Sequence, residues 1–300
     1  MPWYSYALLA AVCITVVGLL QKRVLKQEHS LEYVTVFSVL RLMLVLAVFG
    51  PHIDWSITVG QAGLLLGGAV FGSFAFLLTI KAIRRFEYST VTPIMALEPG
   101  LVAILGVAAL GESFSSSQWA GVGILTLGAY GVTFFNSDHA WRELLHGPKR
   151  VVSPIIDALR RPGGWYIWVA LGSFSISAIF ARRVLTEVTP ATYLFYDILI
   201  LAFFYVGLMI ARQEKMQLRS INRWSLFFVI PLIGVIHLFN GWLQSVALTM
   251  APVALVVAMK RTSTLFDIVV GGRLFHEHRL REKLVATALI LLGTLLIVQA

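Results

Sequence analysis

Six ionisable side chains sit inside long apolar runs of this 300-residue chain: Arg41, Glu98, Asp197, Lys260, Arg261 and Asp267. Three are basic and three acidic, which suggests mutual neutralisation. A charge at the centre of an apolar helix costs about 2.5–3.5 kcal/mol on an insertion scale, so such groups face a bundle interior or a watery cavity and pair there. The chemistry open to them is ion pairing, capture of a charged solute, and proton exchange at a carboxylate. Lys260, Ser263, Thr264 and Asp267 are spaced to share one helical face. Lys260 and Asp267 are separated by about 10 Å of helical rise, too far for an easy direct bridge, so each needs another partner. Glu98 is the natural partner for Lys260 or Arg261, while Arg41 and Asp197 are candidates for ion pairing with neighbouring helices.

A second polar face runs through His237, Asn240, Gly241, Gln244 and Ser245. In lipid such side chains either join helices by hydrogen bonds or line a cavity. No other histidine in that run lies at metal-ligand spacing. In "FHEHRLRE" (275–282), His276 and His278 are two residues apart, where a zinc-protease helix needs four. Glu112 and Glu277 stand just before apolar runs, where a carboxylate can cap the following helix. No nucleophile–base pair, phosphate loop or metal cluster is recognisable, so neither an enzyme nor a bound cofactor is expected. Cys13 lies alone in the first apolar run, which leaves no disulfide to form within the chain.

The elements that hold these groups are dictated by composition: 58% of residues are hydrophobic and 13% charged. An ordinary soluble domain has about 25% charged residues. Apolar windows of about 20 residues, enough to cross a hydrocarbon core as helix, fall at 3–20, 31–50, 60–80, 89–110, 118–135, 165–181, 190–211, 225–248, 252–272 and 284–299. The expected fold is an all-α membrane protein of ten transmembrane helices. Pro93 and Pro99 flank Glu98 within "TVTPIMALEPGLVAILGVAAL" (90–110) and free backbone carbonyls that only a cavity or a partner helix can satisfy. The "GLLLGGAVFG" run (63–72) has the small-residue spacing of close helix packing.

The two halves repeat. "QKRVL" (21–25) lies over "ARRVL" (181–185), an offset that also pairs Tyr33 with Tyr193. A second offset pairs Ala82 with Ala247, Glu112 with Glu277 and Gly128 with Gly293. The expected domains are a five-helix repeat at 1–135, a basic linker at 136–164 and a second repeat at 165–300. Five is odd, so the second copy is inverted, an arrangement common in secondary transporters with a solute site where the repeats meet.

Of 24 Lys and Arg, Arg41, Lys260 and Arg261 lie within the runs and only Arg182 and Arg183 on one set of loops; the rest lie on the other set. The positive-inside rule places that basic side in the cytoplasm and both termini outside. The net charge of +9 is therefore spread over short loops facing anionic lipid and is no nucleic-acid footprint.

The stretch "MALEPGLVAILGVAALGESFSSSQWAGVGILTLGAYGV" (95–132) strongly resembles the EamA-type half of the drug/metabolite transporter superfamily. Its most specific pieces are "ALEP" (96–99), "GE" (111–112), "QWAG" (118–121) and the cationic residues closing the first and sixth runs. The second copy diverges, with Ser263 and Thr264 opposite Glu98 and Pro99, and "HE" for "GE". The resemblance implies a carrier of amino acids, nucleotide-like metabolites or drugs that works by alternating access. Its usual drawing has both termini in the cytoplasm; the loop charges here argue the reverse.

Together these features predict a plasma (inner) membrane exporter of small polar metabolites. Glu98, Lys260 and Asp267, with His237, Asn240 and Gln244, form the polar floor of its cavity. For Glu98, proton coupling, solute contact and a purely structural ion pair remain open. The rival reading is a membrane scaffold or sensor that recruits partners through the 136–164 linker.

Overall fold

The computed structural model describes residues 1–25, 30–85, 94–135, 163–213, 224–263, 266 and 280–299. Among them the secondary structure is helical, with no strand. This follows from the sequence: in hydrocarbon each backbone N–H and C=O must be satisfied within its own segment, and a helix does that. The α-helices in chain order are α1 (Trp3–Leu25), α2 (Ser30–Phe49), α3 (Val59–Arg85), α4 (Glu98–Leu110) and α5 (Ser116–Phe135). They continue as α6 (Trp165–Val184), α7 (Pro190–Ala211), α8 (Ile230–Met250), α9 (Val253–Lys260) and α10 (Leu280–Val298).

Among the described residues, five segments are long and apolar enough to cross a membrane: Tyr33–His52, Val59–Thr79, Trp165–Val184, Pro190–Ala211 and Phe227–Met250. Trp3–Gly18, Glu98–Leu110 and Ala288–Val298 are shorter apolar helices. Large apolar side chains such as Phe203, Ile210, Leu127 and Ile104 are exposed. Helices that are apolar all round are at home in lipid, not water.

Local chemistry sets the helix ends. Thr189 accepts a hydrogen bond from the Thr192 amide at 3.3 Å and Pro190 opens α7, a side-chain cap followed by a residue with no N–H to leave orphaned. At the other kind of end, α4 stops on Gly111, whose φ of 66° is the left-handed conformation glycine adopts most cheaply.

Three predicted runs differ from the helices found. The run 89–110 is not one helix: Ile94 and Met95 are helical, Ala96 and Leu97 form a turn, and α4 begins at Glu98 with Pro99 in its first turn. Proline there lacks the N–H to continue an upstream helix and has its φ preset for a new one. The run 252–272 yields α9, which ends at Lys260 and is followed by a turn at Arg261 and Thr262. The eighth run begins as π-helix over Ser225–Val229 before α8. Pro93, the 136–162 part of the linker, and the "FHEHRLRE" segment up to Arg279 lie outside the described residues.

The helices form two compact units: Met1–Ser73 with Phe180–Met250, and Phe74–Ile179 with Ala251–Ala300. In the first, α1 packs on α8, and α2 on α7 and α8, around Val45, Ile53, Leu194, Phe195, Ile198 and Leu238. In the second, α5 lies along α10, and α9 packs on α4 and α5; a further core joins Ala82, Ile94, Ile167 and Leu171. Each unit draws on both sequence halves. The pairs α2 and α7, α4 and α9, and α5 and α10 are the counterparts that the repeat alignment matches, and each packs on its own counterpart.

The tightest of these pairings is α5 on α10. A Cβ built on Gly293 would lie 2.6 Å from the Leu125 nitrogen and 2.7 Å from the Gly121 carbonyl oxygen, and one on Gly128 would lie 2.9 Å from the Ile290 nitrogen. Only the absence of side chains lets these backbones meet. On α3, by contrast, a Cβ on Gly67 would lie 3.0 Å from the Phe180 ring, and one on Gly63 would have nothing within 4 Å.

Candidate functional site

In the second unit the break before α4 and the end of α9 meet at an ion pair. Arg261 Nη2 donates to Glu98 Oε2. Lys260 interacts electrostatically with both Glu98 and Arg261. All three side chains are partly buried. Glu98 occupies the first turn of α4, and Lys260 the last turn of α9. A helix N-terminus carries roughly half a positive charge and a C-terminus roughly half a negative one, so the carboxylate and the cations each sit at the end that favours them.

Below this pair Glu112, at the far end of α4, reaches the start of α9. Its Oε1 accepts from the Val253 amide at 2.9 Å. The helix it caps is therefore α9, which packs on α4, and not the following α5 as the sequence order suggests. Ser115 takes that nearer position, accepting from the Gln118 amide at 3.2 Å, with the Gln118 side chain accepting in return from the Ser115 amide.

The polar face of α8 belongs to the first unit and faces α2 and α7. The His237 ring stands edge-on to Phe37, with centroids 5.5 Å apart. Asn240 is buried and its Oδ1 has no hydrogen-bond partner among the described residues. A Cβ on Gly241 would meet the Leu194 side chain at 3.1 Å. Ser245 donates back to the Gly241 carbonyl at 2.8 Å, so it serves its own helix. Gln244 is half-buried.

Next to that face is a group that sequence reasoning gave a lesser place. Arg41 is 7% exposed, its guanidinium carbon 5.6 Å from the centre of the Phe37 ring. It interacts electrostatically with Asp197, Tyr193, Tyr33 and Tyr205. Tyr33 stacks on Phe37 at 5.6 Å, and the Tyr205 hydroxyl donates to the Ser73 carbonyl at 3.1 Å. The pairing of Tyr33 with Tyr193 in the repeat alignment was the available signal for this cluster. Its convergence on Arg41 depends on α2 packing against α7, which no sequence spacing encodes.

Of the residues singled out, Glu98, Lys260 and Arg261 come together in one unit. His237, Asn240, Gln244, Arg41 and Asp197 lie in the other. Thr264 and Asp267 lie outside the described residues, so the face expected to run from Lys260 to Asp267 is described only as far as Ser263.

A family model described as the EamA-like transporter family matches residues 1–134 and 163–299. A solved structure titled "Crystal structure of protein" superposes with a TM-score of 0.71 at 12% identity, covering 99% of this chain and 97% of that one, a likeness of fold. A search of curated proteins finds no match.

Proposed function

The chain belongs to the EamA-like transporter family, and from that premise we propose that it is a secondary carrier exporting small polar metabolites, such as amino acids or related compounds, by alternating access. Membership makes it a multi-pass membrane transporter of the drug/metabolite type. The finer reading is ten spans in two inverted five-helix repeats, 1–135 and 165–300, in the plasma membrane with both termini outside.

The observation that carries this reading is the ion pair at two interrupted helices. Breaking a buried ion pair is costly because each charge is left without compensation. Glu98 and Arg261 differ from an ordinary pair in standing at helix ends of the favourable sign. If a solute displaces one from the other, each retains part of its stabilisation. Interrupted helices whose ends address solute and coupling ion are a recurrent device of inverted-repeat transporters. On this reading Glu98 exchanges between Arg261, solute and a proton, Lys260 contacts solute beside it, and Asp267 is a further solute contact proposed from the sequence alone. In the first unit, His237, Asn240 and Gln244 contribute further solute contacts.

Sealed vesicles reconstituted with the full chain test this. Saturable flux of a metabolite that drops at least tenfold in Glu98→Gln and in Lys260→Ala is the expected result. If both variants carry every transported metabolite at the native rate, the assignment of these residues is wrong.

A further inference from the structure

The stop of α9 after Lys260 coincides with two bonds to one carbonyl. The Thr262 amide donates to the Met259 carbonyl at 3.1 Å, and the Thr262 hydroxyl donates to the same oxygen at 2.7 Å. The Arg261 amide is divided between the Val257 and Ala258 carbonyls, at 3.2 and 2.9 Å. Bonds to the third residue back wind the chain more tightly than an α-helix does, and a side chain that joins the backbone ladder is one of the few causes of a sharp kink. Thr262 is 2% exposed, so its hydroxyl has little water to turn to instead.

The reach of such a hydroxyl bond matters. Thr15, Thr35, Thr126 and Thr294 each donate to the carbonyl four residues back, the α-helical spacing, and their helices run on. The three-residue reach of Thr262 is shared by Thr249 in the last turn of α8 and by Thr186 just past the end of α6. Ser38 has it inside α2, so the short reach alone does not end a helix. At Thr262 it coincides with an amide bond of the same reach to the same carbonyl.

The first repeat makes the same turn by other means. The alignment that sets Ser263 opposite Glu98 also sets Met259 opposite Ile94 and Thr262 opposite Leu97. The Leu97 amide donates to the Ile94 carbonyl at 3.1 Å, matching Thr262 on Met259. Leu97 has no hydroxyl, but Pro99 follows it and has no amide with which to carry the preceding helix on. The second repeat has Thr264 at the proline position and so lacks that device. Glu98 directly follows the first turn and Arg261 lies within the second, so the two breaks carry the two partners of the ion pair.

We infer that Thr262 is a positioning residue: its hydroxyl, bonded to the Met259 carbonyl, holds the break in the second repeat and thereby sets Arg261 against Glu98. The role rests on the carrier reading of that pair and needs no contact with solute.

The test is a double-mutant cycle on the purified full chain in detergent. Thermal midpoints are measured for the native chain, Glu98→Gln, Arg261→Gln and the double variant. The four are measured again with Thr262→Ser, which keeps the hydroxyl, and with Thr262→Val, which keeps the shape and loses it. Non-additivity of the two substitutions reports how firmly the pair is held; it is expected to persist with serine and to fall by about half or more with valine. A residue that serves stability alone would lower all four midpoints and leave the coupling as it was. Should the valine variant not fold, Thr262→Ala is a second hydroxyl-free variant with the same expectation.

Coupling that survives loss of the hydroxyl, or that serine loses as fully as valine, overturns the role of Thr262 and leaves the carrier reading standing. No coupling in the native background would remove the pair itself, and both fall together. Absence of flux in vesicles with the coupling intact would defeat the carrier function and leave the positioning of the pair.

Discussion

The Glu112 carboxylate accepts a hydrogen bond from the Val253 amide at 2.9 Å, across 141 positions of the chain. This contact supplies what α9 lacks locally, because Pro252 at its N-cap offers no side-chain acceptor. Glu112 is brought there by its own backbone, whose amide donates to the Gly106 carbonyl at 3.2 Å as α4 closes on the left-handed Gly111. Gly106 leaves the room: a Cβ there would lie 2.6 Å from Glu112 Oε2. The carboxylate, the glycine and the first turn of α9 therefore form one interlock between repeat-related helices.

Removing the cap with Glu112→Ala is expected to cost about 0.5–2 kcal/mol, the usual range for a lost N-cap. Gly106→Ala alone is also expected to destabilise, because the new methyl displaces the carboxylate. In the Glu112→Ala background the same substitution should cost far less, since nothing remains to be displaced. Thermal midpoints of the four solubilised proteins measure this coupling, which for residues in direct contact amounts to about 0.5–3 kcal/mol. Additive effects would mean that Gly106 serves some other contact.

The α5–α10 crossing separates two readings of glycine. Gly293→Ala is expected to destabilise by about 1–3 kcal/mol, the range for overpacking a tight contact, because its methyl meets the Leu125 nitrogen and Gly121 carbonyl. Gly63→Ala, with nothing within 4 Å, should be neutral or gain up to about 1 kcal/mol from helix propensity. Midpoints that fall equally for both would show that the crossing is no tighter than an ordinary helix surface.

That contrast also shows what the sequence discloses. The spacing of Gly63, Gly67, Gly68 and Gly72 singles out α3, but small residues at such intervals serve equally on a helix side that meets no backbone. The repeat alignment does better: it pairs Gly128 with Gly293, and both lie at the α5–α10 crossing. Glu98 and Arg261 are legible for a similar reason, since unlike charges on matched apolar runs have few other ways to be neutralised. The helix break beside them is half legible, with Pro99 marking the start of α4 while nothing in the composition marks the stop of α9 after Lys260. The electrostatic interaction of Tyr33, Tyr193 and Tyr205 with Arg41 is not, because tyrosine is unremarkable in an apolar run until the neighbouring helix is known.

Loop charge predicts the orientation, and a reporter reads it directly. Short basic loops resist translocation, and Arg182 and Arg183 stand on the sparsely charged side. Fused to the C-terminus after Ala300, a reporter active only outside the cytoplasm is expected to give signal, and a cytoplasmic reporter none. The opposite pattern would overturn the predicted orientation of both termini.

The helix-end account of the Glu98–Arg261 pair makes a sharper claim than pairing alone. Glu98→Arg sets like charges together and Arg261→Glu does the same with the other sign, so each single variant should lose thermal stability and flux. The double variant restores opposite charges at the same place, and a pair held only by mutual attraction would recover fully. Here, however, the exchanged arginine stands at the N-terminus of α4 and the exchanged glutamate just past the C-terminus of α9, each at the end whose partial charge repels it. At about 0.3–1 kcal/mol for each favourable placement, lost and then reversed at two helix ends, the double variant should be more stable than either single variant yet fall short of native stability by about 1.2–4 kcal/mol. Complete recovery of stability would show that the interrupted helices contribute nothing to holding the pair. No recovery at all would show that the two residues act separately, each held by other neighbours.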